Sequence, residues 1–581
     1  MKTKTKNNSG TLKNVLSMVG KYKPLLIVTI LLSLLYVAAS LYIPILAGKV
    51  IDVIADENGI DFKVILQDLV LIGISAAIAA LSQWLMSIVN NAITYRTVHD
   101  LREKSFKKLM KLPISFIDSN PQGEIVSRII ADTDTFADGL LMGFTQLFTG
   151  VATIAGTIVF MLTMNAFITL AVVILTPISL FAAKFIATRT YSMFKKQSEC
   201  RAEQTAYIDE MIQNQKTVKA FGYEKRSEVK FDSINEKLKG ASLKATFYSS
   251  LTNPVTRFVN SIVYMAVVLL GAVFVIRDSL SVGMLVSFLS YANQYTKPFN
   301  EISGVVTELQ NALACAQRVF DLLSEPEMTK DGEKLPEKKR GEVVFNDVSF
   351  SYTQDKKLIE NFNLKVIPGQ KIAIVGPTGC GKTTLINLLM RFYDVDSGSI
   401  VVDGVNINDM PREALRGSFG MVLQETWLKS GSVKENLKMG KPDATDEEMI
   451  EKAKLTRAHS FIKRLPEGYD TLIGESGGSL SEGQKQLLCI TRVMLMDPPM
   501  LILDEATSSI DTRTEMKIQQ AFDILMKGKT AFVVAHRLST IQNADKILVM
   551  KDGKIIETGT HDELLSKNGF YSKLFNSQFA V

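Results

Sequence analysis

Cysteine is scarce in this chain: four in 581 residues, Cys200, Cys315, Cys380 and Cys489. They lie far apart and form no CxxC pair, which excludes a disulfide framework and a zinc ribbon. The four histidines, His99, His459, His536 and His561, are just as scattered. The formal net charge is +6, yet the basic residues are not massed on one short element, so no nucleic-acid partner is expected. Charge is also missing from the middle of several long apolar stretches, where Asp68, Lys184 and Lys297 stand only toward the edges. Glycine and proline are sparse in the long segments 90–139 and 190–257, which argues against structureless loops there.

What is present divides into two halves. The mean hydropathy of +0.14 averages an apolar half, residues 24–300, with a second half that reads as a soluble α/β domain. A bilayer core of about 30 Å needs roughly 20 mostly apolar residues in a helix. Six segments meet that length: 25–47, 66–89, 140–163, 166–189, 258–276 and 280–300. The first apolar run is too long for a signal peptide and reads as a retained span. Lysine and arginine crowd residues 1–23 and the segments 90–139 and 190–257, while Lys49, Lys63 and Arg277 stand alone on the other side. The basic side is expected in the cytoplasm, with both termini inside and the protein in the cell (cytoplasmic or inner) membrane. Leu12, Val15, Leu16 and Val19 fall at helical spacing, either an interfacial helix or a leader to the first span. The two long basic segments read as helical legs that prolong the spans, each with one break, around Pro121 and Gly123 and around Gly222. With so few charges inside the spans, a mostly apolar cavity for hydrophobic or amphipathic compounds is expected.

The segment "EPEMTKDGEKLPEKKRG" is charged, proline-containing and almost without apolar residues. It marks a boundary: a membrane domain over 1–324, a linker over 325–340 and a soluble domain over 341–581. In the last, strand-like runs (Lys371–Val375, Met500–Leu503, Thr530–Val534, Ile547–Met550) alternate with helical ones, as in an α/β fold.

"KIAIVGPTGCGKTTLINLLM" places G-x-x-x-x-G-K-[ST] between a strand and a helix, the context a P-loop requires. Gly376, Pro377, Thr378, Gly379, Cys380, Gly381, Lys382 and Thr383, with Thr384 following, form the candidate phosphate cradle. Lys382 is expected on the outer phosphates and Thr383 on Mg²⁺. Cys380 is a small residue within the loop whose alkylation is expected to block nucleotide. "MLILDEATSSID" supplies a buried strand ending in two carboxylates: Asp504 for Mg²⁺ through water, Glu505 to orient or deprotonate the attacking water. His536, after "FVVA", is expected near the γ-phosphate. Gln424, in "MVLQETWL", offers an amide to Mg²⁺.

With "LSEGQ" lying between the P-loop and "LILDEATSSID", the whole chain resembles a half-transporter of the ATP-binding cassette (ABC) exporters, of the multidrug or lipid type. The resemblance implies a type I exporter fold: six transmembrane helices fused to one P-loop ATPase domain. It implies ATP and Mg²⁺ as cofactors, Tyr352 stacked on adenine, Gln424 as the Q-loop and His536 as the switch histidine. It further implies a D-loop over Ser508–Asp511, and a signature formed by Ser481, Glu482, Gly483 and Gln484 that faces the ATP of a second half-transporter. "TLIGESGG" resembles the segment that meets the cytoplasmic tips, so the turns at Pro121, Gly123 and Gly222 are expected to couple the domains. Membrane lipids and a small hydrophobic substrate are the remaining implied partners. A dedicated lipid or peptide exporter is the alternative within the family, and an ATP-gated channel or regulatory subunit the alternative outside it. No cysteine-protease pattern precedes the first span, against a processing peptide exporter; the carboxylate pair Asp504–Glu505 argues against a channel.

The family pattern is LSGGQ, so Glu482 stands where a glycine is expected. A carboxylate at a helix start suits the dipole but repels a phosphate, and it adds bulk where backbone should approach closely. The favoured expectation is a heterodimer with two unequal ATP sites, a homodimer being the other arrangement.

Overall fold

The computed structural model describes residues 8–56, 60–277, 279–353, 357–423, 426–474, 480–504, 510–534 and 541–578. The chain forms two compact units: Met1–Lys111 with Asn120–Pro326, and Leu112–Ser119 with Glu327–Val581.

The first unit is built, among the described residues, from helices α1 (Asn8–Val19), α2 (Lys23–Ala55), α3 (Phe62–Leu109), α5 (Gln122–Ile129), α6 (Ala131–Met142), α7 (Phe148–Met164), α8 (Ala166–Leu175), α9 (Pro177–Gln213), α10 (Gln215–Ala220), α11 (Glu224–Ser250), α12 (Thr252–Ile276) and α13 (Val282–Ser324). Helix α4 (Ile114–Ser119) belongs to the second unit. Gly10–Ala55, Phe62–Leu109, Gln122–Met164 and Arg257–Ile276 are long and apolar enough to cross a membrane. The predicted span 166–189 is divided between α8 and α9, where Pro177 has no N–H to continue the ladder. The span 280–300 is the first half of α13. The legs are helical as expected: α3 runs to Leu109, α9 to Gln213, α13 to Ser324.

Polar caps open these helices. Asp61 accepts from the Lys63 and Val64 amides at 2.9 and 3.4 Å, Asn165 from Phe167 and Ile168 at 3.0 and 3.1 Å, and Ser281 from Met284 at 3.0 Å. Inside the bundle, small residues let backbones touch. A Cβ on Gly283 would lie 1.9 Å from the Gly48 carbonyl oxygen, so α2 and α13 approach as only glycine permits. The Ser287 hydroxyl donates to the Pro44 carbonyl at 2.7 Å, and Asp52 accepts from Ser281 Oγ and the Gly283 amide, each at 2.7 Å. Thr29 donates to Asn90 at 2.9 Å, and Asn90 to Thr145 at 3.2 Å. At the far end of α13, Arg318 grips the buried Asp132 of α6 through Nε at 2.7 Å and through a second nitrogen.

The second unit holds two main sheets. Strands β1 (Val343–Phe350), β2 (Ile359–Val366), β4 (Ser397–Val402) and β5 (Val405–Asn406) form an antiparallel sheet in the order β2-β1-β4-β5. The other sheet has the order β12-β11-β3-β10-β9-β6. Its strands are β3 (Lys371–Val375), β6 (Phe419–Val422), β9 (Met500–Asp504), β10 (Thr530–Val534), β11 (Lys546–Lys551) and β12 (Lys554–Gly559). Only β12 runs antiparallel to its neighbour. Strands β3, β9 and β10 are covered on both faces, which is why they read as unbroken apolar runs. The helices of this unit include α14 (Lys382–Leu389), α19 (Glu482–Met496) and α20 (Thr512–Met526). The segment after Glu327 packs on this unit: Arg412 pairs with Asp331, and the Lys334 amide donates to the Asp409 carbonyl at 2.9 Å.

Candidate functional site

The parallel sheet assembles one edge. Val534 at the end of β10 stands beside Asp504 at the end of β9 on one side and Ile374, next to last in β3, on the other. In such sheets ligands bind beyond the carboxyl ends of the strands. From β3 the chain turns directly into α14. Gly376 has φ +155°, and a Cβ there would lie 2.2 Å from the Met550 carbonyl oxygen; Gly381, at φ +103°, opens the helix. Both positions require glycine. Around Gly379 the space is open. Lys382 Nζ bends back onto the Gly376 and Pro377 carbonyls at 2.7 and 3.0 Å. A cation resting on loop carbonyls, beside the unpaired amides of a helix start, fits a polyphosphate.

Thr383 is exposed beside the loop, whereas Thr384 is buried and accepts a hydrogen bond from Tyr352 Oη at 3.3 Å. Asn387 donates to the same oxygen at 3.3 Å. The Tyr352 ring is 47% exposed, free to receive a flat partner, and packs edge-on against Phe350 and Tyr393 at 4.9 and 5.0 Å. Tyr393 in turn donates to the carboxylate of Asp118 on α4. Burial first, and this bond second, push the Tyr393 phenol above its ordinary value. Cys380 departs from expectation. Its thiol is 3% exposed within the apolar core, so it presents backbone to the loop and no accessible sulfur for alkylation in this conformation.

The signature opens α19. Ser481 is its N-cap, accepting from the Gln484 amide at 3.3 Å while Gln484 Oε1 accepts from the Ser481 amide at 3.0 Å. Glu482 is exposed; Lys485 Nζ donates to it at 2.8 Å and Thr426 Oγ1 at 3.2 Å. The Lys485 bond, ahead of the Thr426 one, holds its carboxyl below the ordinary carboxylate value. Gly483 is buried against α20, whose N-cap Asp511 accepts from the Thr514 amide at 2.9 Å. That backbone bond, first among its causes, lowers the Asp511 carboxyl. No described hydrogen bond or ring contact joins 481–484 to 376–384. Gln424, Glu505, Ser508 and His536 lie outside the described residues. Pro121 caps α5, Gly123 lies in that helix, and Gly222, at φ +57°, turns α10 into α11.

In the first unit, α2, α7 and α13 line a half-open cavity of about 280 Å³. It is lined by Ser40, Thr149, Thr153, Gln294 and Lys297 as well as Tyr36, Val37, Leu41, Gly150 and Pro298. Half of this lining is polar, among spans whose overall hydropathy is high. Hydropathy averaged along a span hides polar residues that share one face.

A helical membrane unit continuous with a P-loop α/β unit defines a membrane transport ATPase. Residues 26–299 match the ABC transporter transmembrane region family and residues 359–508 the ABC transporter family. A fatty acid ABC transporter ATP-binding/permease protein of Mycobacterium tuberculosis is 38% identical over 517 residues, 89% of this chain and 82% of the relative. A Bacillus subtilis protein provisionally named as a multidrug export ATP-binding/permease protein is 36% identical over 584 residues, covering 98% and 99%. A solved bacterial Atm1-family ABC exporter with ATP bound matches with TM-score 0.80 and 28% identity, over 96% of this chain and 99% of that one. The chain belongs to the ABC exporters, as a half-transporter with fused membrane and ATP-binding domains. It is a multi-pass membrane protein that binds ATP, in a family whose members generally work as dimers.

Proposed function

We propose that this chain is the hydrolytically competent half of an ATP-driven exporter of hydrophobic or amphipathic compounds, seated in the cell membrane with both termini and the ATPase domain in the cytoplasm. The observation that carries the reading is the strand edge: the P-loop, Asp504 and the end of β10 share one side of a parallel sheet. There Lys382 would neutralise the outer phosphates, leaving its carbonyls for them. Tyr352 would stack on adenine. Thr383, Asp504 and Gln424 would hold Mg²⁺, which supplies charge neutralisation of the phosphates when bound. Glu505, adjoining Asp504, would orient the attacking water, and His536 would contact the γ-phosphate.

The signature face and the P-loop share no described contact within the chain, so the signature is offered to a second half-transporter. Glu482 favours a different chain as that partner, with the ATP site it completes slow and the site built on Lys382, Asp504, Glu505 and His536 doing the turnover. α4, which packs with the ATPase unit through Asp118, and the turns at Pro121, Gly123 and Gly222 would carry its movements to the spans. The fatty acid and multidrug relatives support lipid-like or drug-like cargo.

The assembled dimer in vesicles should concentrate a hydrophobic dye against its gradient and hydrolyse ATP faster in its presence. ATP-dependent conductance without uphill movement would instead make it a channel.

A further inference from the structure

The cavity between α2, α7 and α13 is unusual for a membrane span in two independent ways. First, it collects hydrogen-bonding side chains from three helices. Gln294 and Lys297 are one turn apart on the same face of α13 and meet Ser40 of α2 and Thr149 and Thr153 of α7. All five positions fall inside segments of spanning length. An ionisable residue there is costly unless water or a partner serves it, and marks a functional site by default. Among the described side chains none brings a carboxylate within 4.0 Å of the Lys297 ammonium; Glu301, one turn on, has its side chain outside those described.

Second, a proline removes one ladder hydrogen bond from each of the continuous helices α2 and α13 beside the same cavity. Pro298, in its wall, has no N–H for the Gln294 carbonyl, and Pro44 has none for the Ser40 carbonyl. Interrupted helical bonding at membrane depth is tolerated where it faces protein or a wet cavity rather than lipid. Gly150 keeps α7 close, a Cβ there standing 3.5 Å from Pro298. The remaining walls, Tyr36, Val37 and Leu41, are apolar.

We propose that this cavity is a head-group site for anionic amphiphiles, in which Lys297 and the Gln294 amide receive a carboxylate while the hydroxyls of Ser40 and Thr153 complete its shell; the Thr149 hydroxyl beside them donates to the Thr145 carbonyl at 2.5 Å. The inference rests on the export reading and narrows its substrate class to long-chain carboxylates. Neutral esters and amines of the same chain lack the charge that Lys297 selects.

The test uses the assembled dimer in lipid nanodiscs, with oleate, methyl oleate and oleylamine displacing a fluorescent long-chain carboxylate, beside ATPase stimulation by each. Oleate should displace the probe at least about tenfold better than methyl oleate. Lys297→Met should erase that margin and leave methyl oleate unchanged; Lys297→Arg should keep most of it. Equal displacement by acid and ester, or an unchanged margin in Lys297→Met, overturns the site. An oleylamine preference would assign the cavity to cations through the freed carbonyls, which also overturns it. The export reading fails separately, if no amphiphile of any charge stimulates ATPase or is moved uphill.

Discussion

Lys485 Nζ lies 2.8 Å from Glu482 Oε1, one turn along the helix that the signature opens. Thr426 takes the other oxygen at 3.2 Å. The carboxylate that replaces a signature glycine is thus held to its own helix and the neighbouring loop. Its side chain remains 56% exposed, so the pair is worth little as stability but much as placement. Removing Glu482 while keeping the fold is therefore a clean experiment. Glu482→Gly should change the ATPase rate of the assembled dimer modestly and upward, by roughly two- to fivefold at most if the site it completes is the slow one. A fully active dimer of this chain alone would refute the unequal pairing.

The same pair fixes a pH expectation. Lys485 lowers the Glu482 carboxyl in the folded chain. The linked stabilisation is therefore complete above the ordinary carboxylate value and is lost as pH falls through the lowered one. Between roughly pH 6 and 8 Glu482 is ionised throughout. The ratio of wild-type to Glu482→Gln ATPase should stay flat over that window; a ratio that climbs or falls with a midpoint near neutrality would show that the carboxylate meets a different environment in the working dimer.

Glu505 follows Asp504 in sequence, and Asp504 ends β9 at the edge that the P-loop shares. Glu505→Gln should keep ATP binding and lower turnover by roughly 10²-fold or more, the usual weight of a general base. Equilibrium binding of a labelled ATP, beside phosphate release, separates the two. Retained turnover would move the base to another residue.

Much of this was open to reading in the sequence, for physical reasons. The buried parallel strands carry runs such as "KIAIV" and "MLILD", whose lack of alternation follows from having both faces covered. The P-loop glycines stand where positive φ or a close carbonyl forbids a side chain. What was not legible depends on distant chain segments meeting. Nothing in "RFYDVD" says that Tyr393 touches Tyr352 and bonds to Asp118, 275 residues away in sequence. Nor does the hydropathy of any one span reveal that polar positions of α2, α7 and α13 converge.

That long-range bond is testable. Tyr393→Phe keeps the ring against Tyr352 and removes only the hydroxyl that Asp118 accepts. Stability should fall by about 1 kcal/mol, the net worth of one hydrogen bond, and ATP affinity should hold. If α4 carries the signal between domains, substrate stimulation of ATPase should drop while basal ATPase persists. Equal losses in both would make the bond structural only.

The two glycine positions of the signature are not equivalent, and the structure says which one tolerates change. The first is occupied by Glu482, whose side chain stands in solvent. At the second, a Cβ on Gly483 would lie 2.4 Å from Thr514 Cγ2 and 3.2 Å from Ile510 Cγ2. Gly483→Ala must push α19 away from α20, the helix that Asp511 caps, and such overpacking costs about 1–3 kcal/mol. Its ATPase should fall with its thermal stability. Thr514→Ser deletes the clashing methyl group but keeps the backbone amide that bonds Asp511. The double variant Gly483→Ala with Thr514→Ser should therefore recover most of the lost stability, read as a coupling in a double-mutant cycle. Recovery of activity together with stability would place the need for glycine in helix packing; recovery of stability alone would leave the bare backbone at Gly483 as a surface that the partner's nucleotide must approach.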